Sequence, residues 1–140
     1  MTAAHKLDRP LVLIADDVDI QRSLAAELLE SLGTRVHGVS NGYEAIDALK
    51  LLYPELVLMD CRMPGLDGLA ATRILRRTQR RSETPAIPII GFSADLDEKL
   101  RDRALEAGMD ECVAKPLRAD VLRDILKRYN VLDPNIPCAA

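Results

Sequence analysis

The stretch Leu56-Val57-Leu58-Met59-Asp60-Cys61-Arg62-Met63-Pro64-Gly65-Leu66-Asp67-Gly68 decides how this chain folds. Four apolar residues in succession, with Pro54 before them and Pro64, Gly65 and Gly68 after, predict a short strand buried on both faces and closed by a turn. Asp60 then stands at the carboxyl end of the strand. In an open α/β sheet that end faces the ligand crevice, so a carboxylate there can serve chemistry or a cation as well as simply start a turn.

The same pattern recurs on both sides. Leu11 to Ala15 reads as another buried strand, and it ends in Asp16 and Asp17. Ile20, Leu24, Leu28 and Leu32 then repeat every four residues, predicting a helix with one apolar stripe that stops at Gly33. Arg35 to Val39 alternates weakly as a strand. Ser40-Asn41-Gly42 supplies turn and capping chemistry for a helix carrying Ala45, Ile46, Leu49 and Leu52, closed by Pro54. Beyond the central loop, Leu69 to Arg77 is helical in pattern and 78–85 reads as a polar connector. Ile87 to Phe92 predicts a strand ending at Ser93-Ala94, followed by a helix from about Leu96 to Ala107 that stops before Gly108. Cys112 to Ala114 is a last short strand leading into Lys115-Pro116, and Leu122, Ile125, Leu126 and Tyr129 mark a final amphipathic helix. Five strands alternating with five helices imply an α/β fold, a doubly wound parallel sheet with helices on both faces. The expected organisation is a flexible N-terminus over 1–10, one domain over 11–129, a C-terminal tail over 130–140, and no second domain.

Composition narrows the function. With 140 residues, 48% hydrophobic and 29% charged, the chain can build a globular core. A net charge of -3, no Trp, three Tyr and one Phe give little pull toward nucleic acid and few platforms for stacking bases, so no nucleic-acid partner is expected. No apolar run approaches the roughly 18 residues of a membrane span and no signal peptide is evident, which predicts a cytoplasmic protein without direct membrane contact. Cys61, Cys112 and Cys138 are odd in number and widely spaced, and read as reduced thiols.

The polar residues that matter fall on strand ends: Asp16 and Asp17 after the first, Asp60 after the third, Ser93 after the fourth, Lys115 after the fifth. Three carboxylates on one rim repel one another unless a cation sits among them, and all-oxygen ligation suits Mg²⁺. Such a metal and Lys115 would stabilise the negative charge of phosphoryl transfer while Asp60 attacks phosphorus, and Ser93 would donate to a phosphoryl oxygen.

On these residues the sequence resembles the receiver domains of two-component signalling, the response-regulator family, over about Leu11 to Tyr129. The matching motifs are Asp16-Asp17, Met59-Asp60-Cys61-Arg62-Met63-Pro64-Gly65-Leu66-Asp67-Gly68, Phe92-Ser93-Ala94 and Lys115-Pro116-Leu117. The resemblance implies a flavodoxin-like sheet of strand order 2-1-3-4-5. It also implies Asp60 as phosphoacceptor and Mg²⁺ held by Asp16, Asp17, Asp60 and the backbone carbonyl of Arg62. Lys115 would contact the phosphoryl group, with Ser93 at the switch position. It further implies a cis peptide before Pro116, close helix packing at Gly68, and a histidine kinase or histidine phosphotransfer protein as partner. The wording Met-Asp-Cys-Arg-Met-Pro is closest to receivers of hybrid sensor kinases and phosphorelays. The domain would not be an enzyme beyond catalysing its own phosphorylation and dephosphorylation.

One position departs from the family. Three residues before the lysine, where a Tyr or Phe often swings inward, stands Cys112, expected to act as a small core side chain. Cys61 should point away from the site by strand alternation. Arg73, Arg76, Arg77, Arg80 and Arg81 read as a solvated helix end, and neither His5 nor His37 is placed as a phosphotransfer histidine. Arg62 and Asp95 could pair across the pocket mouth. A phosphohydrolase with an aspartyl nucleophile wants a second Asp two residues on, where Arg62 stands. A pseudo-receiver that no longer switches would not need the full set of chemical residues.

Overall fold

The computed structural model describes residues 8–80 and 85–132. In chain order the elements are β1 (Leu11–Ala15), α1 (Asp19–Ser31), β2 (Arg35–Val39), α2 (Gly42–Leu52), β3 (Leu56–Asp60), α3 (Gly68–Arg80), β4 (Ile89–Ser93), α4 (Glu98–Ala107), β5 (Glu111–Ala114) and α5 (Ala119–Arg128). All strand pairs are parallel and the sheet order is β2-β1-β3-β4-β5, as the resemblance implies. β2 and β5 form the two edges.

Strand alternation divides the interior into two layers. Val12, Ile14, Leu56, Leu58, Ile90 and Phe92 face α1 and α5, meeting Ala25, Leu29, Leu122, Ile125 and Leu126. Leu13, Ala15, Val57, Met59 and Ile89 face α2, α3 and α4, meeting Leu49, Leu75 and Ala104 among others. Every residue of β3 and β4 is buried, the burial expected of parallel strands covered on both sides. The helices begin and end on local chemistry. The Asn41 side chain accepts from the Glu44 N–H and that of Asp97 from the Leu100 N–H, while Gly108, with φ 111°, ends α4 in the left-handed region.

Several boundaries differ from the sequence expectation. α3 runs on to Arg80, so Thr78 to Arg80 are helical, and 81–84 lie outside the described residues. Arg76 ties this part of α3 to its neighbours, donating to the carbonyls of Gly108 and Ile87, both at 2.7 Å, and to Asp110 at 2.8 Å. It is therefore not part of a solvated helix end. β4 starts at Ile89 rather than Ile87, α4 at Glu98 behind its Asp97 cap rather than at Leu96, and β5 at Glu111 rather than Cys112. At the N-terminal side, Arg9 and Pro10 accept from Arg35. Past Tyr129 the chain stays packed: Val131 is buried against the α5 layer and its N–H donates to Leu126. His5, Arg81 and Cys138 lie outside the described residues.

The stripe expected of α1 is only half right. Ala25 and Leu29 are buried, with Leu28 and Leu32 partly so, but Ile20 is 69% and Leu24 56% exposed. A helix turns 100° per residue, so a strict four-residue repeat drifts about 40° per step and cannot keep all four side chains on the sheet.

Candidate functional site

The carboxyl ends of β1, β3 and β5 open on one rim, and the side chains leaving them meet. Asp16 follows β1, with its N–H donating to the Val39 carbonyl at 3.1 Å and its own Oδ1 accepting from the Val18 N–H at 2.9 Å. Asp60 ends β3 in register with Phe92 of β4, 4% exposed, its Oδ1 accepting from the Arg62 N–H at 3.1 Å. Oxygens of Asp16, Asp17 and Asp60 lie within 4.8 Å of one another.

Lys115 leaves β5 through a cis peptide to Pro116 and sets its ammonium among these acids. Its Nζ lies 3.0 Å from Asp60 Oδ2 and 3.4 Å from Asp16 Oδ2, donates to Gln21 Oε1 at 2.7 Å, and stands 5.1 Å from the Phe92 ring centroid. Burial raises the Asp60 carboxyl above its ordinary range, and Asp16 adds to this, outweighing the Arg62 N–H and the lysine. Burial pulls the Lys115 ammonium down, yet the two carboxylates outweigh it and its pKa rises. The two directions agree once the charges are counted: one cation faces several acids, so it is well compensated and they are not.

Ser93 closes β4 one residue beyond the partner of Asp60, buried, with its Oγ accepting from the Asp95 N–H at 3.3 Å. Its carbonyl accepts from the Lys115 N–H at 2.9 Å, fixing the β4 end beside the start of the lysine loop. Gly68 is a forced glycine, because a Cβ there would run into the Asp60 carbonyl oxygen and stand 2.9 Å from Met59 Cγ. Among the described residues no ion pair joins Arg62 to Asp95, both of which are exposed.

Sequence reasoning missed Gln21, the approach of Lys115 to the Phe92 ring, and the apolar shoulder of the site. A cleft of about 340 Å³ beside Lys115 is lined by Asp16, Gln21, Leu24, Leu28, Phe92 and Leu117. Gln21 had no motif to mark it; its signal is only that it lies in the first turn of the helix leaving Asp16-Asp17. No helix among the described residues is long and apolar enough to cross a membrane.

Comparison with known proteins points to one family. Residues 12–127 match the family model for the response regulator receiver domain. The sensor histidine kinase RcsC of Escherichia coli is 35% identical over 122 residues, covering 87% of this chain and 12% of that protein. The sensor histidine kinase GacS of Pseudomonas protegens is 32% identical over 123 residues, 88% of this chain and 13% of that protein. The chain thus spans about an eighth of the length of these relatives. Among solved structures, the receiver domain of the sensor histidine kinase PA1611 from Pseudomonas aeruginosa, described with a magnesium ion coordinated in its active site cleft, superposes with a TM-score of 0.76. It is 34% identical, covering 86% of this chain and 97% of that one. A family match over most of the chain, together with the five-stranded parallel sheet, places this protein in the response regulator receiver domain family of two-component signalling.

Proposed function

We propose that Asp60 accepts a phosphoryl group from the phosphohistidine of a histidine kinase or histidine phosphotransfer protein, and that the acyl phosphate switches partner binding. The observation that supports this most directly is the buried Asp60 carboxylate 3.0 Å from Lys115 within a cluster of three acids. An Asp60 oxygen attacks phosphorus, the P–N bond to the donor imidazole breaks, and the imidazole nitrogen takes up a proton. Lys115 compensates the charge on the phosphoryl oxygens and Ser93 donates its hydroxyl proton to one of them.

The donor set fits a hard dication, being all oxygen and carrying more negative charge than one lysine cancels. Asp16, Asp17, Asp60 and the Arg62 backbone carbonyl would hold Mg²⁺, which would supply further charge compensation. The domain is its own catalyst for this transfer and for hydrolysis of the product, with no other substrate. The reading places it in the cytoplasm, where thiols such as Cys61 and Cys112 stay reduced.

Intact-mass measurement with acetyl phosphate tests the assignment. The parent should gain one phosphoryl mass only when Mg²⁺ is present, and Asp60→Asn should gain none. Equal labelling of Asp60→Asn would sink it.

A further inference from the structure

Every methionine and cysteine among the described residues lies in one layer of the core: Met59, Cys61, Met63, Met109 and Cys112. None is in the layer under α1 and α5. Within that layer the Cys61 and Cys112 sulfurs stand 3.6 Å apart. Both residues are buried, at 1% and 6% exposure, and both are free thiols. The Met109 sulfur comes to the same place as Cys61 Sγ, over Gly91. Gly91 lies between the two strands concerned, and the position its Cβ would take is crowded by Met109 Sδ and has Cys61 Sγ 3.2 Å away. The absence of a side chain at Gly91 is what lets these sulfurs gather over the middle of the sheet.

A disulfide does not suit this placement. Cys61 continues β3, its N–H donating to Phe92 of β4, and Cys112 lies on β5 on the far side of the same strand. Two strands that flank a third stand about 9 to 10 Å apart, whereas a disulfide requires Cα atoms within about 7 Å. A bridging ion has no such difficulty. Two thiolates bound at about 2.3 Å in a three-coordinate, trigonal site sit roughly 4.0 Å apart, so the two sulfurs, 3.6 Å apart here, would need to spread by only a few tenths of an ångström.

We propose that Cys61, Cys112 and Met109 form a binding site for Cu(I). Two thiolates and a thioether are a soft donor set that favours Cu(I) over magnesium or calcium. Zn²⁺ is less suited because structural zinc takes four ligands, commonly cysteine and histidine, and the described histidine, His37, is exposed on the edge strand β2. On binding, the two thiols release their protons to solvent and the ion keeps its oxidation state. The site lies in the layer under α2, α3 and α4, apart from the acidic cluster, yet Cys61 directly follows Asp60 and Cys112 precedes Lys115 by three residues. A bound ion would tie the segment after Asp60 to β5.

The test is anaerobic titration of the reduced full chain with Cu(I) held by a chromophoric chelator, joined to X-ray absorption on the loaded protein. The expected result is one equivalent of Cu(I) withdrawn per chain, with sulfur alone in its first coordination sphere. Cys61→Ser and Cys112→Ser should each weaken binding at least a hundredfold and Met109→Leu about tenfold, while Cys138→Ser leaves it unchanged. No withdrawal of Cu(I), nitrogen or oxygen ligands in the absorption spectrum, or loss of binding in Cys138→Ser would overturn the proposal. The absorption measurement needs no variant, so the test stands even if a cysteine substitution unfolds the chain.

Discussion

Lys115 divides one positive charge between Asp60 and Asp16 and is steadied from outside by the neutral amide of Gln21. Removing that amide leaves the lysine its acids but loosens its aim. A single hydrogen bond is worth about 0.5 to 1.5 kcal/mol net, so Gln21→Ala should slow phosphorylation by acetyl phosphate about threefold, read from the initial rate of mass gain. Asp60 gives a second prediction, from its raised pKa. A carboxyl whose folded pKa exceeds its unfolded value binds more protons when folded, so its ionisation costs stability as pH rises through that window and costs nothing below it. Asp60→Asn should therefore raise the melting temperature by a few degrees near neutral pH without metal. The gain should vanish below pH of about 4, the ordinary aspartate range. A gain that persists in acid would assign the effect to something other than the buried charge. The acids, the serine and the lysine were legible because each follows a run of apolar residues; Gln21 and the Cys61–Cys112 contact depend on how separate strands and helices approach, which no local pattern records.

At the level of elements, α1 shows where periodicity misleads. Its repeat of Ile20, Leu24, Leu28 and Leu32 reads as one core stripe, but the drift of a four-residue period turns the first two outward, with Leu24 lining the cleft at Lys115. Apolar side chains left exposed beside the proposed phosphoacceptor site would offer a histidine donor a surface to dock on. Burying part of each would contribute about 1 to 2 kcal/mol, so Ile20→Ser with Leu24→Ser should slow transfer from a phosphorylated histidine donor about tenfold. The rate with acetyl phosphate, which needs no docking, should stay as in the parent. Equal slowing with both donors would show that α1 shapes the pocket rather than the encounter. The other helix misreadings have simpler causes: α3 outruns its apolar pattern because Arg76 anchors its last turns through Gly108, Ile87 and Asp110.

Over the whole molecule, the alternation of strands and helices was enough to give the layers, while the order β2-β1-β3-β4-β5 came from the likeness of the motifs. A chain that gathers three acids on one rim is held back by their repulsion, and a ligand that binds only the folded form relieves it. Mg²⁺ at a hundred times its dissociation constant should add about 2.7 kcal/mol to the unfolding free energy, measured by urea denaturation. Asp16→Asn with Asp17→Asn should lose most of that gain; an undiminished response would move the ion elsewhere.

The sheet stops at β2 on one side after five residues and at β5 on the other after four. Each rim leaves backbone amides that another chain could adopt, and stacking through such rims is how fibrils grow. Here a neighbour laid along β2 would meet Arg35 and His37, and one laid along β5 would meet Glu111, already engaged by Arg128 and Tyr129. Brevity and charge at both borders work against edge-to-edge pairing, even though the three interior strands β1, β3 and β4 are apolar enough to aggregate if they were ever laid bare.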